Sequence, residues 1–231
     1  KTTKGDVKGL AISAVKSESA TFQILPFVWQ TGGDLNDYAT SGATALAYLR
    51  GLIDDGSMSE AVTNYTQEDA RTQFITGKSA MMINGPWELA TLTKDAQFDW
   101  DVAPLPKDKR AATSMGGENV VVMNGAKQSD AAVKLAKFLT SAEGAKIYCD
   151  GSGQLSSRPD LKGKLKLSED AKNKVFESQL ADAHARAYGK DYPKISEAIQ
   201  LSMQEALTGA STPEAAAKKA ADSINPLLPK K

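Results

Sequence analysis

The stretch from Gly77 to Trp87 reads GKSAMMINGPW and carries the signals of a strand, a turn and a helix in succession. Its apolar run Ala80–Asn84 predicts a short strand. Gly85 and Pro86 end that strand, and Pro86 suits the first turn of a helix that also contains Trp87. Ligands of open α/β sheets bind beyond the carboxyl ends of the strands. The stretch therefore predicts an α/β fold with an aromatic side chain at the mouth of a binding crevice.

The rest of the chain repeats this alternation of short apolar runs with longer amphipathic segments. Further strands are predicted at Val7–Ser13, Asp99–Pro104 and Asn119–Asn124. Helices are predicted where a capping residue or a proline precedes an apolar periodicity. They begin at Ser41, Thr66, Ser129, Ser141, Ser168, Pro193 and Thr212. In the helix that begins at Ser129, the spacing of Val133, Ala136 and Leu139 predicts a face that packs on the core. The alternation favours α/β layers over a sandwich or a bundle.

The composition excludes several classes of protein. The 231 residues include 28 Lys+Arg and 28 Asp+Glu, so the net charge is zero and the chain lacks the overall basic charge that binds nucleic acid or an anionic membrane. Apolar residues make up 41% and charged residues 24%, which is typical of a folded chain with one or two domains. The longest apolar runs are far shorter than the roughly 18–20 residues that cross a bilayer. The single cysteine, Cys149, is predicted to be a small buried side chain.

No constellation of residues in the sequence indicates an enzyme or a metal centre. The single histidine, His184, has no serine or cysteine motif beside it and is interpreted as a residue on a helix surface. Asp99 and Asp101 alternate along a predicted strand, which favours a solvent-exposed edge over an acid–base pair. The glycine clusters Gly116–Gly117 and Gly151–Gly153 lack the spacing of a phosphate-binding loop. Neither catalysis nor a bound cofactor is therefore expected.

Several segments match a known family in the order in which that family carries them. Gly77–Trp87 resembles the GKxAMxxxGxW segment of extracellular solute-binding proteins of sugar ABC importers, the group that includes maltose-binding protein. Further segments resemble the family's aromatic helix, its ApLP strand, its crossing strand, a following helix, the next loop and the C-terminal helix pair. These segments are Phe27–Gly33, Asp101–Pro106, Gly116–Met123, Ala136–Gly144, Arg158–Asp160 and Tyr192–Leu228. Ser156 stands where proline is common in the family.

The resemblance implies a periplasmic-binding-protein-like type II fold, in which two α/β lobes joined by a hinge close on a ligand. It places residues 1–112 and 156–231 in the C-terminal lobe, the second part carrying the C-terminal helices. Residues 113–155 would be the segment that returns to the N-terminal lobe. Family members are much longer, and the charged start of the chain has no apolar signal core, so a fragment without the N-terminal part is expected. The proline-rich and charged stretch 104–110 is a candidate crossing point between domains.

The resemblance also implies a set of ligand-binding residues. Trp87 matches a position that commonly stacks on a sugar ring, a contact that suits the large apolar face of an indole. Trp29 lies in an apolar helix, where ligand contact and core packing are equal alternatives. Phe22 and Gln23 are expected to reach the cleft from the start of that helix. Arg158 is expected either to hydrogen-bond the sugar or to hold the hinge loop through a carboxylate.

The remaining ligand-binding candidates lie in two segments without a predicted helix. Gly117, Glu118 and Asn119 are at the expected crossing between lobes, where a carboxylate and an amide can bind sugar hydroxyls. Tyr188 is the preferred candidate in the irregular stretch 186–192, which often lines the cleft in relatives. The resemblance therefore distributes the predicted site over distant parts of the chain.

The function implied by the resemblance is that of a substrate-binding subunit of an ABC transporter. Such a subunit captures a mono- or oligosaccharide between its lobes, and its closed form delivers the sugar to the transmembrane permease subunits. A monomer is expected in the periplasm or the extracellular space, with a lipid anchor to the cell surface as one alternative. Neither a cofactor nor nucleic acid is expected as a partner.

Three alternatives stay open at this point. The same fold could bind a polyamine, a phosphodiester or an amino acid, although a cationic ligand would need several cleft carboxylates and Glu118 is the one obvious candidate in the sequence. An enzyme that acts on carbohydrate would need two well-placed acids. An interaction module without a ligand is disfavoured by the aromatic residues expected in the cleft.

Overall fold

The computed structural model describes residues 5–229 of the chain. In chain order its strands and α-helices are β1 Lys8–Ala11, α1 Glu18–Gln30, α2 Tyr38–Asp54, α3 Gln67–Ile75, β2 Ser79–Met82, α4 Leu89–Asp95, β3 Thr113–Met115, α5 Ser129–Leu139, α6 Ala142–Ser152, α7 Ala171–Gln179, β4 Ala183–Ala185, α8 Tyr192–Leu207 and α9 Pro213–Ile224. Each helix in residues 5–229 is too short or too polar to cross a lipid bilayer. The order of elements is that of an α/β chain.

Contacts between residues divide the described chain into two compact units. Unit 1 comprises residues 5–84, 105–115 and 181–229, and unit 2 comprises residues 85–104 and 116–180. The chain passes from unit 2 back to unit 1 between Pro104 and Leu105. This transition falls within the proline-rich and charged stretch 104–110.

Both strand pairs of the described chain lie in unit 1, and both are parallel. Leu10 of β1 lies opposite Met81 of β2, and Ser114 of β3 lies opposite His184 of β4. Parallel neighbours need a long connection, usually with a helix in it. Helices α1, α2 and α3 provide it between β1 and β2, whereas the connection from β3 to β4 runs through residues 116–180 of unit 2.

Two of the predicted strands are wrong. Asp99–Pro104 and Asn119–Asn124 form no strand, and in residues 5–229 neither segment has a paired neighbour. Alternating apolar residues are not sufficient for a strand, because its backbone N–H and C=O groups need partners. β3 and β4 are absent from the prediction because three residues are too few to show a periodicity. His184 lies on β4, so its assignment to a helix surface is also wrong.

Local capping signals locate the starts of α3, α6 and α9, whereas the predicted caps Ser41 and Ser168 are wrong. Thr66 caps α3 as predicted: its hydroxyl accepts from the Asp69 N–H, and the Asp69 carboxylate accepts from the Thr66 N–H. α2 begins before Ser41, whose hydroxyl instead donates to backbone carbonyls of the preceding turn. Asp170 caps α7 in place of Ser168, because its carboxylate accepts from two backbone N–H groups at the helix start.

Unit 1 is built around one buried apolar core. Helices α1, α2, α8 and α9 supply most of its side chains. Its completely buried members include Ile24, Leu46, Leu49, Ile199 and Met203. Helix α9 faces this core with small side chains, namely Ala216, Ala217, Ala220 and Ala221, which let it lie close to α2 and α8. Full burial of one large aliphatic side chain contributes about 1.5–3 kcal/mol, so this core stabilises unit 1 strongly.

Unit 2 contains a much smaller apolar cluster. In the part of the chain that the structure describes, the cluster consists of Cys149, Leu161 and Leu165, with Ala145 packed beside them. The predicted burial of Cys149 is confirmed, and burial raises the pKa of its thiol. Within the part of the chain that the structure describes, the predicted core face of α5 packs on no core: none of its residues is buried, and Val133 is 40% exposed. Apolar spacing alone does not bury a face, because burial also requires a packing partner.

The bounds of the two units differ from the lobe bounds that the resemblance implies. Residues 85–104 and 156–180, expected in the C-terminal lobe, pack with residues 116–155 in unit 2. Local contacts account for this grouping. For example, Lys146 of α6 donates a hydrogen bond of 2.6 Å to the Lys164 carbonyl. The assignment of residues to lobes stays a prediction.

Candidate ligand-binding site

Trp87 lies in unit 2 on a 3-10 turn that leads directly into α4. Gly85 precedes this turn, and Pro86 is its first residue, where a proline-fixed φ is favourable. The indole folds back over Gly85, because a methyl group on the Gly85 Cα would lie 2.2–2.4 Å from three atoms of the six-membered ring. Trp87 is half-buried. Its ring is therefore held against its own turn and keeps part of its surface accessible.

The backbone of the same turn lies against the end of α6. This helix ends at Gly153, which has the left-handed φ of 74° that favours glycine. A methyl group on Gly153 would lie 3.1 Å from the Pro86 carbonyl oxygen and 3.6 Å from the Trp87 Cα. A side chain at Gly153 would crowd the Pro86 carbonyl, so glycine favours this close approach of the helix end and the turn.

Gly117, Glu118 and Asn119 lie in an exposed segment of unit 2 without regular secondary structure. An exposed carboxylate offers acceptors, and an exposed amide offers both donors and acceptors. These groups can exchange bound water for the hydroxyl groups of a solute at low cost, because they do not have to break a buried network first.

Arg158 holds a loop of unit 2. Its Nε and Nη2 donate to the two carboxylate oxygens of Asp160 at 3.0 and 3.1 Å, and its Nη1 donates to the Thr140 carbonyl at 2.8 Å. The hydrogen bonds from Arg158 lower the pKa of the Asp160 carboxyl. Of the two alternatives for Arg158, the geometry favours the one in which it holds a loop through a carboxylate.

Trp29 lies in the core of unit 1 and is 1% exposed. Its Nε1 donates to Asp34 Oδ1 at 3.0 Å and to the Tyr188 hydroxyl at 3.1 Å. The His184 ring stacks on it, with 4.9 Å between ring centroids. The geometry therefore favours core packing over ligand contact for Trp29.

Tyr188 uses its hydroxyl within the same network. Its Oη donates to Asp34 Oδ1 at 2.5 Å and accepts from Trp29 Nε1. Burial and the neighbouring Asp34 carboxylate both raise the pKa of the Tyr188 phenol. Because the hydroxyl hydrogen is already used inside the protein, a contact between Tyr188 and a ligand is expected to come from its half-buried ring.

Phe22 is half-buried in unit 1 and lies under the guanidinium of Arg186, which is 4.7 Å from the centre of the ring. Arg186 Nε donates to Glu18 Oε1 at 3.0 Å and to the Tyr192 hydroxyl at 2.9 Å. Its Nη1 donates to the Met115 carbonyl at 3.1 Å. Arg186 is thereby fixed between α1, the end of β3 and the start of α8.

Glu18 completes this cluster and is absent from the sequence-based prediction. Its carboxylate accepts from the hydroxyls of Tyr192 and Ser196. Burial, followed by the hydrogen bond to Glu18, raises the pKa of Tyr192 to about 12. Glu18 is far in sequence from all three partners, and the one local signal is its place in the first turn of α1, where an acidic residue is common for other reasons.

Gln23 lies in the interior of unit 1 and connects the ends of two strands. Its Oε1 accepts from the Ser13 N–H at 3.0 Å, and its Nε2 donates to the Ile83 carbonyl at 3.1 Å. Ser13 follows β1 and Ile83 follows β2. Both ends of the amide are thus engaged within the protein, and the side chain is 3% exposed.

The structure divides the predicted site residues between the two units. Those of unit 2 are Trp87, Gly117, Glu118, Asn119 and Arg158. Those of unit 1 are Phe22, Gln23, Trp29 and Tyr188. Among residues 5–229, no three side chains of His, Cys, Asp or Glu converge in a way that could hold a metal ion.

Comparison with known proteins gives a family match over most of the chain. The model of the family described as bacterial extracellular solute-binding protein matches residues 2–175. A putative binding protein of Brucella abortus (strain 2308) is 26% identical over 216 residues, which are 88% of this chain and 52% of the relative. A maltooligosaccharide ABC transporter solute-binding lipoprotein of Streptococcus pneumoniae is 33% identical over 95 residues, or 40% of this chain and 22% of the relative.

Solved structures match nearly the whole chain. An ABC transporter solute-binding protein of Thermotoga lettingae, bound with α-D-tagatose, has a TM-score of 0.85 at 30% identity and is matched over 97% of this chain. Maltose-bound MalE3 of T. maritima has a TM-score of 0.82 at 28% identity over 96% of this chain. This chain spans 60% and 61% of those two structures, and about half the length of the Brucella relative.

These matches decide the fold class and the kind of protein. The predicted periplasmic-binding-protein type II α/β fold is confirmed for the part of the fold that the chain spans. The expectation of a binding protein rather than an enzyme is confirmed by the family. Since the family model covers well over half of the 231 residues, the chain belongs to the family of bacterial extracellular solute-binding proteins.

Proposed function

We propose that this chain belongs to the substrate-binding subunit of an ABC transporter and that its solute is a mono- or oligosaccharide. The observation that carries the proposal is the Trp87 indole, which is held against its own turn and is half-buried. A rigid apolar surface of this kind suits the C–H face of a sugar ring. The tagatose-bound and maltose-bound relatives support a sugar as the class of solute.

Polar groups of the same unit would bind the hydroxyl groups of the sugar. Glu118 and Asn119 are exposed and offer a carboxylate and an amide, and Gly117 offers a backbone N–H without a covering side chain. In unit 1, the rings of Phe22 and Tyr188 are the proposed apolar contacts, since both are half-buried.

Three of the predicted residues are proposed to support the site rather than to contact the sugar. Trp29 and Gln23 are buried, with their polar atoms engaged inside unit 1. Arg158 binds Asp160 with two hydrogen bonds. Each of these side chains would have to break existing hydrogen bonds before it could bind a solute, and that cost disfavours a direct role.

The proposed mechanism is conformational and involves no covalent chemistry. A sugar that binds the closed form better than the open form shifts the protein towards closure, and a membrane permease recognises that closed form. The subunit would act as a monomer outside the cytoplasmic membrane, in a periplasm or at a cell surface. The Streptococcus relative is a lipoprotein, which supports the second location, with a lipid anchor that attaches the subunit to the cell surface.

A thermal-shift screen of the intact protein tests the proposal. Maltose, maltotriose and tagatose are compared with putrescine and with amino acids, because a solute that binds only the folded state raises its melting temperature. The screen is repeated with Trp87→Ala and with the control Trp100→Ala, the other tryptophan of unit 2, which lies under Lys172. A rise with a sugar that is lost in Trp87→Ala and kept in Trp100→Ala is the expected result.

Two outcomes would contradict the proposal in different ways. A rise with putrescine or an amino acid and none with sugars would keep the family and overturn the class of solute. A sugar-dependent rise of equal size in wild type and Trp87→Ala would keep the class of solute and overturn the role of Trp87.

A further inference from the structure

The turn that carries Trp87 requires a glycine at position 85 for a reason of space, not of backbone conformation. Gly85 has φ of −121° and ψ of 176°, an extended conformation that any residue adopts. A methyl group on its Cα, however, would lie 2.2 Å from Trp87 Cη2, 2.3 Å from Cζ3 and 2.4 Å from Cζ2. These distances are far below van der Waals contact. The absence of a side chain at Gly85 is therefore what lets the indole lie where it does.

The backbone of the turn that carries this indole is also constrained. Pro86 has a ring-fixed φ, and the turn continues directly into α4. The end of α6 meets the turn at Gly153, close to the Pro86 carbonyl oxygen and the Trp87 Cα. Since the backbone of the turn cannot move freely, a methyl group at Gly85 would displace the more mobile partner, which is the indole.

We propose that Gly85 is a positioning residue for ligand binding: it provides the space in which the Trp87 ring lies, and so sets the direction of the ring face presented to the solute. The proposal rests on the proposed function, because it assigns Gly85 a role through the stacking contact of Trp87. It follows that Gly85→Ala weakens sugar binding although residue 85 does not contact the sugar. Both the turn and the orientation of the sugar-binding ring would then depend on a glycine two residues before Trp87.

The experiment combines a double-mutant cycle with a spectroscopic reading of the ring itself. The intact protein is labelled with 5-fluorotryptophan, and the Trp87 resonance is identified by its loss in Trp87→Ala. Wild type, Gly85→Ala, Trp87→Ala and the double variant are compared, with Gly51→Ala as the control. Gly51 lies in α2 of unit 1, and a methyl group there would meet no atom within 4 Å. Melting temperature and affinity for maltose and tagatose are measured for each variant.

Gly85→Ala is expected to shift the Trp87 resonance and to leave those of Trp29 and Trp100 in place. It is expected to lower sugar affinity tenfold or more and to lower the melting temperature. Both effects should disappear in the Trp87→Ala background, because no ring is then left to displace. Gly51→Ala should change neither the resonances nor the affinity.

Three results would overturn the proposal. An unchanged Trp87 resonance in Gly85→Ala would show that the ring does not depend on the glycine. An equal loss of melting temperature in both backgrounds would make Gly85 a residue of the turn alone. Absence of sugar binding by the wild type, with the resonance shift present, would instead overturn the proposed function on which the role of Gly85 rests.

Discussion

Unit 1 and unit 2 differ in how they bury their apolar side chains. In unit 1, four helices share one core, and members such as Leu46 are completely buried. In unit 2, the cluster around Cys149 is small, while Val121, Met123 and Leu135 are 71%, 73% and 57% exposed. Buried apolar area is the main favourable term in folding. Within residues 5–229, unit 1 is therefore stabilised chiefly by its core, whereas the order of unit 2 depends more on local contacts.

The two units also differ in how they hold the residues that form or support the proposed site. In unit 1, Trp29 and Tyr188 are fixed by a buried hydrogen-bond network. In unit 2, Trp87 is held by a proline turn and by two glycines, Gly85 and Gly153, that permit close contacts. A side chain on a unit with a small core can thus still have a defined orientation, provided that its own turn constrains it.

The largest expected difference between the units is the loss in free energy of unfolding when one leucine side chain is shortened to alanine. Leu46→Ala in α2 should lower the free energy of unfolding by about 2–5 kcal/mol, because it leaves a cavity in the core of unit 1. In the same 231-residue chain, Leu135→Ala in α5, where the side chain is largely exposed, should change it by no more than about 0.5 kcal/mol. Urea denaturation followed by circular dichroism measures both. Equal costs at the two positions would contradict the comparison.

The next largest effect is expected from the buried network of unit 1. Asp34→Ala removes the acceptor of three donors, namely Trp29 Nε1, the Tyr188 hydroxyl and the Leu35 N–H. Leaving such groups unsatisfied should cost about 1–3 kcal/mol. Asp222→Ala is the control, because it removes an exposed ion pair of α9 that contributes little. If both variants unfold at the same urea concentration, the network does not stabilise unit 1.

The smallest effect concerns Asp150 of α6, which forms an ion pair within the helix and a hydrogen bond to the following loop in unit 2. Asp150 accepts from Lys146 Nζ at 2.9 Å and from the Lys166 N–H at 2.7 Å, and these bonds lower the pKa of its carboxyl from its usual value. A lowered pKa in the folded state stabilises the fold above the unfolded-state pKa, and this contribution is lost as the pH falls through the folded-state value.

Protection of the Lys166 amide from hydrogen exchange should therefore fall in the wild type as the pH is lowered from about 5 through the folded-state pKa of Asp150. In Asp150→Asn, whose side chain does not titrate, protection should start lower and change less over the same range. An identical pH dependence in both proteins would show that Asp150 does not hold this loop.

Signals that depend on near neighbours in sequence predict the structure well. The capping box of Thr66 and Asp69 locates the start of α3, and the apolar run before Gly85 locates β2. The capping bonds of α3 connect residues that are three positions apart. The residues that end the strand, Gly85 and Pro86, follow β2 within a few positions.

Features that depend on distant partners are not predicted. Glu18 and Arg186 are 168 residues apart, and no spacing rule connects them. The α5 face around Val133 has the spacing of a core face but is exposed in residues 5–229. The sequence spacing of a helix does not reveal whether another element covers its apolar face. Trp29 and Gln23 are residue types that often bind sugars. Their burial cannot be predicted from sequence, because it depends on hydrogen bonds to Asp34 and to the backbone at the ends of β1 and β2.

The most direct test of the proposed site is isothermal titration calorimetry of the intact protein with maltose, maltotriose and tagatose, for wild type, Trp87→Ala and Trp100→Ala. The proposed site predicts that at least one sugar binds the wild type, that Trp87→Ala weakens it by about 30-fold or more, and that Trp100→Ala leaves the affinity nearly unchanged. Binding of that sugar to Trp87→Ala with wild-type affinity would contradict the account, as would the absence of binding by every sugar.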